Sequence, residues 1–206
     1  MANMNQGTII RALDWAYDHA LDGLPGCETA EELAWDYLAD AASPSAAARS
    51  LVRWQVAKSS TTGFVTGLGG LMTMPVTVPA DIASTLYVQL RMNAAIATLG
   101  GHDPRSDRVR ALAYLCLCGD GMKEVAQQAG VQIGKKMAQQ AVKRISGETI
   151  KAVNKRVGFR LLTKFGEKGV VNLGKMIPLA GGIVGATFGG VSTYAVGRTA
   201  RALFVG

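Results

Sequence analysis

Four polar side chains sit where an ionisable group is costly unless it has a partner or a polar cavity: Asp81, Arg91, His102 and Asp120. Asp81 and Arg91 stand ten residues apart, at the start and in the middle of an otherwise apolar stretch. Along a helix that is about 15 Å, so they do not pair with each other. A dipole cap accounts equally well for Asp81, and a snorkelling stem or a salt bridge for Arg91. His102 precedes Asp103, which reads as an N-cap before Pro104, and Asp120 stands before Gly121 at another helix start. These four are the candidate buried polar residues, and no spacing among them specifies a reaction.

Other strings with chemical potential fail on their details. Gly169–Met176 has the G-x-x-x-x-G-K outline of a phosphate loop, but Met176 replaces the Ser or Thr that would hold magnesium, and Phe165–Lys168 is charged rather than a hydrophobic strand. Gly67, Gly69 and Gly70 lack the third glycine of a dinucleotide fingerprint. Neither the G-x-S-x-G elbow nor S-x-x-K is present. Cys27, Cys116 and Cys118 lack zinc-knuckle or C-x-x-C spacing and read as small buried hydrophobes. With His19 and His102 as the only histidines, no metal site is expected, and no cofactor or catalytic residue is assigned. Asp14, Asp18 and Asp22 stack at i, i+4 and i+8; acids so placed repel unless compensated, which makes the ridge a solvated face or a dock for basic segments.

The basic residues are the clearer signal. Cut at residues 50 and 120, the chain holds 8 acids and 2 bases, then 4 and 6, then 3 and 14, so its blocks carry −6, +2 and +11 within a total of +7. Lys135, Lys136, Lys143 and Arg144 fall opposite the stripe Ile133, Met137, Ala141 and Ile145 of an expected helix over 122–145. Lys151, Lys155, Arg156 and Arg160 flank the stripe Ile150, Val153, Val157 and Leu161 of an expected helix over 149–164. Basic amphipathic helices suit the headgroups of anionic membrane lipid. A soluble interaction protein with an acidic protein partner is the alternative, and a membrane-active toxin shielded by its acidic helices a third reading. Nucleic acid is disfavoured, because Lys123–Lys175 offers only Phe159 and Phe165 for stacking.

The elements that must carry these residues are helical throughout, as a compact all-α bundle. Thr8–Leu21 is amphipathic; Thr29 with Glu32 is a capping box for a helix to about Ala41; Ser43–Pro44 opens a third to about Ser59. Ile82–Leu99 reads as an apolar helix closed by Gly100–Gly101, and Asp103–Pro104 opens a helix from Arg105 to about Cys118. Two runs of 22 uncharged residues lie between Lys58 and Asp81 and between Lys175 and Arg198. The first, with Gly63, Gly67, Pro75 and Pro79, suits a broken or re-entrant hairpin better than a straight span. The second carries Gly181, Gly185, Gly189, Thr193 and Gly197 at four-residue steps, a small-residue ladder that lets another helix approach closely. Pro178 fits the first helical position, and the two Gly-rich segments are expected to form the core.

The 206 residues suit one domain, with acidic N-terminal helices over 1–49 packed on a main domain over 50–206. Charged residues are only 18%, hydrophobic residues 49%, and glycines number 25, which excludes a disordered chain and weighs against an ordinary soluble enzyme. Met1–Gln6 lacks the basic start of a secretory signal, and the sparse cysteines fit a reducing compartment.

Taken together, certain strings resemble the EcsC family. They are Thr62–Pro75, Pro79-Ala-Asp81-Ile82, Gln89-Leu-Arg91, Gly101–Pro104, Leu115–Gly119, Asn154–Gly158, Lys164–Gly169, Asn172–Lys175, Pro178 and Gly181–Gly185, over about residues 50–205. The resemblance implies a helical, membrane-associated bacterial protein on the cytoplasmic side of the inner membrane, and supplies no agreed reaction. The resemblance also implies a departure at Gly190–Ser192, where an acid is often expected after the glycine run.

Overall fold

The computed structural model describes residues 5–59, 78–133, 139–165 and 183–206. Among them are nine α-helices, one 3-10 turn at Gly119–Gly121 and no strand, only an isolated bridge between Leu24 and Cys27.

Helix α1 (Gln6–Asp22) starts where the Asn5 side chain accepts from the Thr8 amide. Its buried stripe includes Ile9, Leu13, Ala16, Tyr17 and Ala20, at the three- and four-residue steps of a helix with one face in the core. Helix α2 (Ala30–Ala39) has both halves of the capping box: the Glu32 amide donates to Thr29 Oγ1 at 3.1 Å, and the Thr29 amide to Glu32 Oε2 at 2.8 Å. Helix α3 (Pro44–Ser59) begins after Ser43, whose Oγ accepts from the Ala46 amide.

Helix α4 (Ala80–Leu99) is the centre of the bundle and packs against α1, α2, α3, α5 and α9. From Leu86 to Ala97 every residue is buried, which is why its sequence is apolar on every side except at Gln89, Arg91 and Asn93. A Schellman motif ends it: Gly101 adopts φ 75°, its amide donates to the Thr98 carbonyl, and the His102 amide reaches the Ala97 carbonyl. Gly100 is required for a different reason, since a Cβ there would lie 2.3 Å from the Phe204 carbonyl oxygen.

Helix α5 is Asp107–Cys116. It begins two residues later than the Arg105 start expected, because Asp103 is not its cap. The Asp103 carboxylate accepts from the Arg105 amide at 2.9 Å, closing a turn ahead of the helix. The expected helix over 122–145 does not form as one piece. Helix α6 (Met122–Gln128) ends in a second Schellman motif, with Gly130 at φ 78° and the Val131 amide on the Ala126 carbonyl. The helix α7 that follows is short, Gln139–Lys143. Helices α8 (Gly147–Phe165) and α9 (Ile183–Phe204) complete the chain.

Helix α9 lies alongside α4 in the same direction: Gln89 meets Thr193, Met92 meets Gly197, and Gly100 meets Phe204. At Gly197 a Cβ would stand 2.7 Å from Val52 of α3, so part of the small-residue ladder lies against the protein's own helices. Among the described residues no helix is long and apolar enough to cross a membrane. Most of the first uncharged run, with Gly63 and Gly67, and the start of the second, with Pro178 and Gly181, lie outside the described residues. Gly185 and Gly189 belong to the backbone of α9, and their packing also lies outside.

The aspartate ridge of α1 is compensated by α5 and its approach, not by the basic segments downstream. Asp14 accepts from the Tyr114 hydroxyl at 2.7 Å, Asp18 from Arg110 at 2.6 Å, and Asp22 from Arg105 at 3.1 Å. Descending partner numbers against ascending aspartates describe an antiparallel pairing of the two segments.

Candidate functional site

Of the four candidate buried polar residues, Arg91, His102 and Asp120 do not converge. Arg91 is buried, donates to the Glu28 carbonyl at 2.9 Å and lies over the Tyr87 ring, so it braces the α1–α2 connection against α4. Burial pushes the Tyr87 hydroxyl up to about 12. His102 is buried edge-on to Phe204, with ring centroids 5.3 Å apart. Asp120, expected to be buried, is exposed: it sits on the 3-10 turn and forms an ion pair with Arg198. Asp81 belongs to the first turn of α4, and its side chain lies outside the described residues. Among the described residues no three His, Cys, Asp or Glu side chains form a metal cluster.

The basic candidates are gathered mainly on α8. Val153, Val157 and Leu161 bury one face of it, and Gly158 lets α1 approach, since a Cβ there would lie 2.9 Å from Ile10 Cδ1. The opposite face carries Lys151, Lys155 and Arg156, all exposed. At its centre is Phe159, 63% exposed. At 100° per residue, Lys155 lies about 40° to one side of Phe159 and Arg156 about 60° to the other. Arg156 also reaches the Gln128 side chain at 3.1 Å, anchoring that edge to α6. Lys143 and Arg144 are exposed just before α8, whereas Lys135 and Lys136 lie outside the described residues.

The C-terminal end of α8 turns inward. Arg160 and Lys164 line a cavity of about 400 Å³ between α8, the 3-10 turn and the part of α9 near Ser192. Lys164 Nζ donates to Ser192 Oγ at 3.1 Å, and Gln89 of α4 donates to the same oxygen at 3.3 Å. Burial lowers the Lys164 ammonium from its ordinary value, against the pull of neighbouring Cys118, with Arg160 adding to the lowering. Burial holds the Cys118 thiol up at about 11. Gly121 leaves room for the Arg160 guanidinium, which would lie 2.0 Å from a Cβ there. Lys164, Ser192 and Gln89 were not among the sequence candidates. The only signal that could have found them was the resemblance, whose strings take in Gln89 and Lys164 and which sets Ser192 apart.

The profile of the EcsC protein family matches residues 24–205. The chain belongs to the EcsC family. No curated protein and no solved structure matches it. The EcsC match runs from before α2 to the penultimate residue and takes in both the basic face and the cavity. Helix α1 lies outside it, although Ile9, Leu13 and Tyr17 belong to the same hydrophobic core.

Proposed function

We propose that this EcsC-family chain is a non-enzymatic peripheral protein that docks the exposed face of α8 on anionic membrane lipid. The observation that carries this reading is Phe159, a large apolar ring exposed on a helix face between exposed Lys155 and Arg156. Left facing water, such a ring contributes nothing to the fold, whereas at a bilayer interface it is removed from water while flanking cations meet headgroups. Each Lys or Arg near an anionic surface contributes about 1 kcal/mol. Lys151, Lys155 and Arg156 together are worth about 3 kcal/mol on that scale, before the aromatic ring is counted.

Co-sedimentation with vesicles tests the reading. The intact chain is expected to bind vesicles containing phosphatidylglycerol, to ignore purely phosphatidylcholine vesicles, and to be released by high salt. The double change Lys151→Glu, Lys155→Glu is expected to weaken binding by at least about tenfold. Equal binding to both vesicle types, or to neither, refutes it.

A further inference from the structure

The inner end of α8 points to a second site, distinct from its outer face. Lys164 lies about 140° around the helix from Phe159, and Arg160 between them, so these two cations turn toward the cavity rather than the outer face. Three features of the cavity bear on what it would hold. The first is charge. Asp120 is engaged by Arg198 on the rim, and among the described residues the acid that pairs with Arg160 is exposed Glu124, at a long 3.7 Å. Cys118 stays a neutral thiol below about 11, so it adds no negative charge at neutral pH.

The second is the orientation of a donor. Ser192 Oγ receives hydrogen bonds from both Lys164 and Gln89, which occupies its two lone pairs. Its own proton is then left to donate. A hydroxyl donor beside an ammonium and a guanidinium is the arrangement that receives an oxyanion.

The third is the wall. Leu117, Leu161, Val191 and Val196 line the same space, and Val191 is 70% exposed at the α9 side. A site for a free inorganic anion has no use for such a lining. The volume of about 400 Å³ falls at the small end of small-molecule sites, enough for a head group and part of one chain.

We infer that this cavity binds a single-chain anionic amphiphile, its phosphate or carboxylate held by Lys164, Arg160 and Ser192 and its chain laid on Leu161, Val191 and Val196. The inference goes beyond the surface reading and does not depend on it: it concerns one monomeric ligand in a cavity, not a bilayer on a helix face.

Isothermal titration of the intact chain below the micelle concentration tests it, with dodecyl phosphate, inorganic phosphate and dodecyl maltoside as three separate titrants. Dodecyl phosphate is expected to bind saturably at one site, and inorganic phosphate at least about tenfold more weakly for want of the chain. Dodecyl maltoside is expected not to bind there. Lys164→Met is expected to cost at least about tenfold in affinity for dodecyl phosphate, while Lys164→Arg keeps it within about threefold. Val191→Trp, a change at an exposed position that leaves the core untouched, is expected to fill the opening and abolish binding. Absence of saturable dodecyl phosphate binding overturns the inference, as does wild-type affinity in both Lys164→Met and Val191→Trp. Equal affinity for inorganic phosphate overturns the amphiphile assignment in favour of a free anion.

Discussion

At the residue scale, the polar groups inside the bundle divide into those that pin one segment to another and those with atoms left unpaired among the described residues. Asn93 donates to the Ala113 carbonyl, Thr199 to the Cys116 carbonyl, and Arg91 to the Glu28 carbonyl, so each pins one helix to a neighbouring segment. Gln55 of α3 is the contrast. It is fully buried, and both atoms of its amide lack a hydrogen-bond partner among the described residues. A desolvated, unpaired amide costs on the order of 1–3 kcal/mol. Gln55→Met, which keeps the length and removes the polar atoms, is therefore expected to raise stability by about 1 kcal/mol or more in urea unfolding. A loss of stability would mean that the amide is used by residues outside those described. None of these partners was legible in the sequence. Asp14, Asp18 and Asp22 announced that they needed compensation, but Tyr114, Arg110 and Arg105 are some 80 to 100 positions away, and only the fold brings them together.

At the scale of elements, several helix ends are legible in the sequence because they depend on local chemistry. The Thr29–Glu32 box, the Ser43–Pro44 start and the Gly100–Gly101 end are each settled within four residues. The failure at 122–145 has the same local origin. Ala129-Gly130-Val131 is a helix terminator, but the regular stripe from Ile133 to Ile145 suggested continuity across it. The apolar character of α4 was ambiguous from sequence alone, since a membrane helix and a central bundle helix share it. The close approaches decide where α9 sits. At Gly197 and Gly100 the neighbours of an added Cβ are the Val52 side chain and the Phe204 backbone, which have little room to give. Gly197→Leu is expected to cost about 1–3 kcal/mol by overpacking against α3 and α4, measured by thermal or urea unfolding. A variant as stable as the parent would remove α9 from the place described.

For the whole molecule, one hydrophobic core spans α1 through α9, and its buried tyrosines make stability depend on alkaline pH. Burial raises Tyr17 and Tyr114 well above the ordinary 10.0, with Asp14 adding to the effect on Tyr114. Burial likewise raises Cys116 above its ordinary 9.0. A group whose folded value is raised loses its proton first in the unfolded chain. Its contribution is therefore complete below the ordinary value and is lost as pH climbs from there toward the folded one. Stability is expected to fall as pH rises above 9–10, and tyrosinate absorbance from these residues to appear together with loss of helical circular dichroism. Ionisation of more tyrosines than Tyr37 and Tyr194, the two that are not buried, in a fully helical protein would contradict that burial.

The same core leaves Phe159 of α8 exposed between Lys155 and Arg156. Phe159→Trp places a reporter there, read against the background of Trp15, Trp35 and Trp54 by quenching with brominated phosphatidylglycerol vesicles. The account predicts that the variant gains blue-shifted emission on binding, quenched by bromines near the headgroup region. Emission from position 159 that neither shifts nor is quenched while the protein sediments with the vesicles would place the membrane contact elsewhere and contradict it.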